Sequence, residues 1–197
     1  TLFDDYTGRG RAEHEQDMTL EKTFTRRDSK EEAPPYLNAE QREAWDAYYQ
    51  PRNKGGDQLT GRDLVRWRYQ RYMHDYLGAV KAVDEAVAKL LKFLDDEGLA
   101  DNTLVVLSSD QGFYLGEHGW FDKRWIYEES LTTPLLVRWP GVTKPGTTTK
   151  SLVSILDFPE TFLDAAGQSV PDDMQGRSLK QLLAGKTPDD WRTSFYY

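Results

Sequence analysis

Between residues 60 and 97 the apolar side chains return every third or fourth position. Val80, Val83, Val87, Leu90, Leu91 and Leu94 form one stripe, and Lys81, Glu85, Lys89 and Lys92 fill the opposite side. That period predicts a long amphipathic helix whose stripe packs on a sheet. Thr60 is placed to cap its start and Gly98 to stop it, giving a helix that ends near Glu97. The period then changes. Leu104-Val105-Val106-Leu107 is an unbroken apolar run, as expected of a strand buried on both faces of a parallel sheet, and it breaks abruptly into Ser108-Ser109-Asp110-Gln111-Gly112. A second run, Leu135-Leu136-Val137, follows Pro134 and ends at Trp139-Pro140-Gly141; a short helix is predicted near Tyr127 to Leu131 between the two.

Thr1 to Asn38 has no period and is rich in Arg, Glu, Asp and Thr, with Pro34-Pro35 near its end. It reads as a solvated surface wrap, the alternative being an arm over a substrate. Asn38 is a natural N-cap for a helix over Ala39 to Gln50, stopped by Pro51. The segment Trp67 to Tyr76 is loaded with Arg and Tyr, which suits either a cleft wall or a half-buried helix face. Further on, Ser151 to Ile155 reads as extended, Asp157 as the cap of a helix through Ala165-Ala166-Gly167, and Ser178 to Leu183 as a last short helix. The aromatic end, Ser194 to Tyr197, reads as the first half of a buried strand cut short. Helix, strand, loop, strand and helix in this order predict an α/β fold divided into 1–59, 60–150 and 151–197.

Composition narrows the function. The 197 residues carry a formal charge of -8, which argues against a nucleic-acid partner. An anionic small substrate stays open, because a metal ion and a lysine make a local positive pocket in an acidic protein. No apolar stretch approaches the roughly 20 residues of a membrane-spanning helix. Cysteine is absent, so this span holds no disulfide, thiolate zinc site or thiol nucleophile.

Candidate chemistry sits behind the first apolar run, where α/β folds gather their reactive groups. Asp110 offers a carboxylate and Gln111 an amide carbonyl, hard oxygen donors suited to calcium or magnesium, with Gly112 allowing a tight turn. The same tripeptide also suits an Asx turn with no ligand. The next loop, Phe113 to Glu129, combines glycine hinges with His118 and Lys123. A lysine near a metal neutralises a tetrahedral oxyanion, and a histidine can donate to it or protonate a leaving oxygen. Each also has a structural alternative, as a hydrogen-bonded histidine and a solvated lysine.

The run Ser109-Asp110-Gln111-Gly112-Phe113-Tyr114-Leu115-Gly116-Glu117-His118-Gly119 with Lys123, followed by Tyr127-Glu128-Glu129-Ser130-Leu131-Thr132-Thr133-Pro134-Leu135-Leu136, resembles the sulfatase family. It is similar above all to bacterial sulfatases of sulfated glycans, near those of the N-acetylglucosamine-6-sulfatase type. The likeness runs from about Arg66 to Tyr197 and more loosely through Thr1 to Tyr6. It implies an alkaline-phosphatase-like fold, with a mixed or parallel sheet flanked by helices. It also implies that Asp110 and Gln111 are calcium ligands, that Lys123 contacts the sulfate, and that His118 shares the catalytic and substrate-binding role. The substrate implied is a sulfated carbohydrate, and the compartment periplasmic or secreted. No serine here begins the family's Ser-x-Pro-x-Arg motif and no Cys-x-Pro-Ser-Arg is present, so the formylglycine nucleophile and further metal ligands are expected before Thr1. The fragment alone is expected to be inactive, with an exposed sheet edge that favours self-association.

Two rivals remain at this stage. A phosphate-ester hydrolase of the same superfamily is one, although Gln111 stands where two-metal sites prefer histidine. The other is a noncatalytic carbohydrate-binding fragment with Trp120, Trp125 and Trp139 stacking on sugars.

Overall fold

A computed structural model describes residues 2–196. The chain divides into two compact units, one of residues up to 88 together with 112–131, the other of 89–111 together with 132 onward.

The helices are α1 (Arg11–Glu15), α2 (Ala39–Asn53), α3 (Gly61–Asp96), α4 (Glu128–Leu131), α5 (Asp157–Ala165) and α6 (Lys180–Leu183). The strands are β1 (Val105–Ser108), β2 (Tyr114–Leu115), β3 (Phe121–Asp122) and β4 (Leu135–Arg138). Helix ends follow local chemistry closely. Asn38 accepts from the Gln41 amide while the Gln41 side chain accepts from the Asn38 amide, a reciprocal cap that starts α2. The helix runs through Pro51 to Asn53 instead of stopping before it. The missing donor falls in the last turn, where Arg52 also donates to the Tyr48 carbonyl at 2.6 Å. At the end of α3, Gly98 takes φ +66°, Leu99 donates to the Leu94 carbonyl and Gly98 to that of Asp95, the bonding of a glycine-terminated helix.

In the first unit the N-terminal segment is not a solvated connector. Tyr6 and Met18 pack with Tyr114 and Trp120, while Leu20 and Phe24 pack with Val65 of α3 and with Tyr69, Tyr72 and Phe121. Its polar groups are anchored too. Glu31 receives Arg68 of α3 through two nitrogens at 2.6 and 3.2 Å and is also bonded to the buried Ser29, and Asn53 donates to the Lys30 carbonyl at 2.8 Å. Scattered apolar residues among charges leave no period to detect, yet they supply much of this core.

The stripe of α3 departs from expectation in the opposite sense. Leu94 is buried, but Val80, Val83 and Leu90 are 47%, 58% and 56% exposed. A 36-residue helix is about 54 Å long, and the sheets among the described residues have two strands each, too narrow to cover it.

In the second unit β1 pairs with β4 antiparallel, Val105 opposite Arg138 through Ser108 opposite Leu135. The parallel, doubly buried strand expected for Leu104 to Leu107 is therefore corrected here: Leu107 and its partner Leu136 are both exposed. An apolar run reports a strand's composition but not its direction. The core of this unit is Leu179, Leu182 and Trp191 with Leu135, Val153 and Phe158. Asp157 does not cap α5 from outside; it lies in the first turn, fully buried, clamped by both terminal nitrogens of Arg192 and accepting from the amides of Ser154 and Arg177. Residues 151–155 form no strand, and Ser194 to Tyr196 are exposed coil rather than a buried strand; Tyr197 lies outside the described residues.

Candidate functional site

The loop after β1 enters the first unit at Gly112, whose amide donates to the Ser130 carbonyl at 3.0 Å. A Cβ here would come within 2.1 Å of the Glu129 carbonyl oxygen, so glycine is required for close backbone approach rather than for a turn. Beyond it β2 and β3 pair antiparallel, Tyr114 opposite Asp122 and Leu115 opposite Phe121. The segment 18–20 lies along the same hairpin: Leu20 donates to the Gly119 carbonyl and Phe121 to that of Met18, both at 2.9 Å. Tyr114 and Trp120 are wholly buried at its centre, in edge-to-face contact at 5.3 Å. A fully enclosed Trp120 cannot stack on a sugar, which removes one support of the carbohydrate-binding rival.

This rigid base holds a strained turn. Among the described residues six non-glycine residues have positive φ, and four of them, His118, Asp122, Arg124 and Trp125, fall within eight positions around Lys123. Such conformations cost roughly 1–3 kcal/mol each and persist where the surroundings enforce them. Here the enforcement is visible. The Tyr114 hydroxyl donates to the Arg124 carbonyl, the Arg124 amide donates to the Ser130 hydroxyl, and Arg124 reaches Asp17 and Asp122. Lys123 is half-buried at the centre of this turn and has no hydrogen bond or ion pair among the described residues.

His118, by contrast, is fully engaged. Arg9 lies 3.3 Å from Nδ1, and because a guanidinium only donates, Nδ1 accepts and the ring proton sits on Nε2. Nε2 faces Glu129 Oε1 at 3.2 Å. Tyr6 donates to the His118 carbonyl, Arg9 is anchored by Asp4 at 2.9 Å, and the His118 ring lies 4.9 Å from that of Tyr127. Sequence reasoning gave no role to Arg9 or Glu129: Glu129 stands within the quoted motif without a signal of its own, and Arg9 lies outside it, 109 residues from the histidine it holds. His14 packs edge-on against Tyr6 and carries no site role.

Asp110 and Gln111 belong to the second unit, just past β1. Asp110 is exposed, its carboxylate meeting only the Ser109 hydroxyl at 3.4 Å, while that hydroxyl donates to the Gln111 carbonyl at 2.9 Å. Both side chains thus keep free oxygens, the donor chemistry of a hard cation. No group of three or more histidine, cysteine, aspartate or glutamate side chains placed to hold a metal ion occurs among the described residues.

Residues 116–197 match the family model of N-sulphoglucosamine sulphohydrolase, C-terminal, and residues 15–156 that of type I phosphodiesterase / nucleotide pyrophosphatase. Over its whole length the chain is 46% identical to the N-acetylglucosamine-6-O-sulfatase of Bacteroides thetaiotaomicron. The solved structure of BT4656 in complex with its substrate D-glucosamine-2-N,6-O-disulfate matches all of this chain at 44% identity and TM-score 0.90.

The chain belongs to the sulfatase family.

Its fold is accordingly α/β and alkaline-phosphatase-like, and the superfamily relation extends to the phosphonate monoester hydrolase of Silicibacter pomeroyi, at 27% identity and TM-score 0.62 over 91% of this chain and 34% of that one. This sulfatase chain spans 39% of the length of the Bacteroides relative and 44% of the BT4656 chain. The similarity covers residues 7–65 as well, beyond the reach of the motif around Asp110 to Lys123.

Proposed function

We propose that the protein carrying this chain hydrolyses the 6-O-sulfate ester of an N-acetylated or N-sulfated glucosamine. The similarity to BT4656 over the whole chain carries this reading, since that structure is described with D-glucosamine-2-N,6-O-disulfate as its substrate. Lys123 supplies the chemical support. A half-buried ammonium without an internal partner, on a turn held rigid by Tyr114 and Ser130, is preorganised to bind a sulfate oxygen as charge builds on it. His118 serves as the positioning residue of that loop, because Arg9 and Glu129 occupy both ring nitrogens; proton donation from Nε2 would require release of Glu129. Asp110 and Gln111 would hold calcium through two of the six to eight oxygen contacts it takes, and calcium held there would supply Lewis-acid polarisation of the sulfate group. The remaining ligands and the formylglycine nucleophile come from outside this chain, and a periplasmic or secreted setting accords with a glycan substrate. Among the described residues no helix is long and apolar enough to cross a membrane.

A second reading, hydrolysis of a phosphonate or phosphodiester, is favoured by the family match over residues 15–156 and by the Silicibacter enzyme. One experiment separates the two. The purified full-length protein is offered N-acetylglucosamine-6-sulfate, glucosamine-2-N,6-O-disulfate and an aryl phosphonate, and its metal is measured. Sulfate release with one calcium per chain is expected; turnover of the phosphonate alone, with zinc or manganese, would replace the sulfatase reading.

A further inference from the structure

A cavity of about 460 Å³ opens in the first unit, and both residues of β3, Phe121 and Asp122, line it directly before Lys123. Its size falls within the roughly 300–1,000 Å³ of small-molecule sites. One part of the lining is aromatic: Tyr76 of α3 and Phe113 stack at 6.0 Å with planes 20° apart, and Tyr72 adjoins Tyr76 at 6.4 Å. The rest is charged and one-sided, with three carboxylates, Asp28, Asp75 and Asp122, against the single ammonium of Lys30. Local partners account for only some of this charge. Asp28 accepts from the amide and hydroxyl of Thr25, and Asp122 lies 3.6 Å from Arg124. Asp75 adjoins the Tyr49 hydroxyl, and its Oδ2 is shut off from solvent, so it adds negative charge to this wall rather than an acceptor within reach of a ligand. Burial first, and then Tyr76, Asp122 and Asp28, push the Tyr72 hydroxyl up to about 12, so it stays a hydrogen-bond donor in a negative field.

Aromatic faces with carboxylate acceptors beside them match a sugar, which presents C–H groups on one face and hydroxyl donors at its rim. The surplus of negative charge disfavours a sulfate or carboxylate group in the same place. We propose that this cavity is a subsite for an uncharged sugar residue linked to the sulfated glucosamine. The enzyme is then selective for 6-sulfated glucosamine joined to a neutral hexose over the same unit joined to a sulfated one.

This rests on the sulfatase reading above, and the test keeps the two apart. The full-length protein is assayed for sulfate release from 6-sulfated N-acetylglucosamine, from that unit linked to an unsulfated hexose, and from that unit linked to a sulfated hexose. The expected kcat/KM is about tenfold higher for the neutral disaccharide than for the sulfated one, the scale of a modest specificity contact. Tyr76→Ala is expected to lower the disaccharide-to-monosaccharide ratio of kcat/KM about tenfold. Asp75→Asn, nearly isosteric, is expected to narrow the gap between the neutral and sulfated disaccharides. Unchanged ratios in both variants overturn the subsite, as does a fall in melting temperature with no change in discrimination, the result expected if another part of the protein fills the cavity. If no sulfate is released from any of the three, the sulfatase reading fails. Calorimetry with the neutral disaccharide then decides the subsite, with binding lost in Tyr76→Ala supporting it and absence of binding overturning it.

Discussion

Lys123 and His118 stand five positions apart in the same loop, yet their surroundings differ. The histidine is held through Arg9 and Glu129, which is the basis for proposing that it shapes the loop. The lysine is half-buried and has no hydrogen bond or ion pair among the described residues, so its ammonium is open to an anionic partner. Lys123→Ala in the full-length protein is therefore expected to lower kcat for a sulfate ester by about a hundredfold, the scale for loss of one preorganised oxyanion contact. Steady-state kinetics on N-acetylglucosamine-6-sulfate check this, and near-wild-type turnover would remove Lys123 from the site. The turn's strain makes the same point about sequence. A histidine at φ +57° and an aspartate at φ +75° look unremarkable in a one-letter string, because strain depends on what the neighbouring chain enforces.

At the scale of elements, the N-terminal segment and α3 are joined through Glu31. Burial alone would push its carboxyl up, but hydrogen bonds from Arg68 and Ser29 and the nearby Arg26 outweigh it and hold the group below the usual glutamate range. A carboxyl depressed in the folded state stabilises the fold at pH above its unfolded value, and that contribution is lost as pH falls through the lower folded value. Thermal melts of the chain followed by circular dichroism are expected to show a lower midpoint for Glu31→Gln at pH 7. Below the ordinary glutamate range of about 4.3 the gap from wild type should narrow. A constant gap across that range would show that Arg68 docks without help from the charge. Asp164, lowered chiefly by its hydrogen bond from Lys180 and then by that from Ser178, adds the same acid sensitivity to the second unit, so the difference between the two proteins is the quantity to follow.

For the whole molecule the notable surface is apolar. Leu77, Val80, Val83, Leu90 and Phe93 of α3 and the Leu107–Leu136 pair of the two-stranded sheet are all exposed. Exposed apolar side chains, along one helix and on one sheet pair, mark an interaction site or an association liability. The chain expressed alone is expected to self-associate in sedimentation velocity at micromolar concentration, and Val83→Lys with Leu90→Glu to shift it toward monomer; a monomeric wild type would count against it. Much of the architecture was nonetheless readable beforehand. The start of α2 and the end of α3 lie in caps made by residues within five positions of one another, and the candidate residues Asp110, Gln111 and Lys123 stand out by residue type along one stretch of sequence. Caps of this kind are determined by the sequence itself, because the groups that bond are held within a few residues of one another whatever the rest of the chain does. The tertiary structure alone decided the burial of Tyr6, Met18, Leu20 and Phe24, the antiparallel direction of β1 and β4, the exposure of the α3 stripe and the hold of Arg9 on His118. Each of these depends on groups tens of residues apart, whose meeting is set by how the whole chain packs and leaves no periodic trace in the residues themselves.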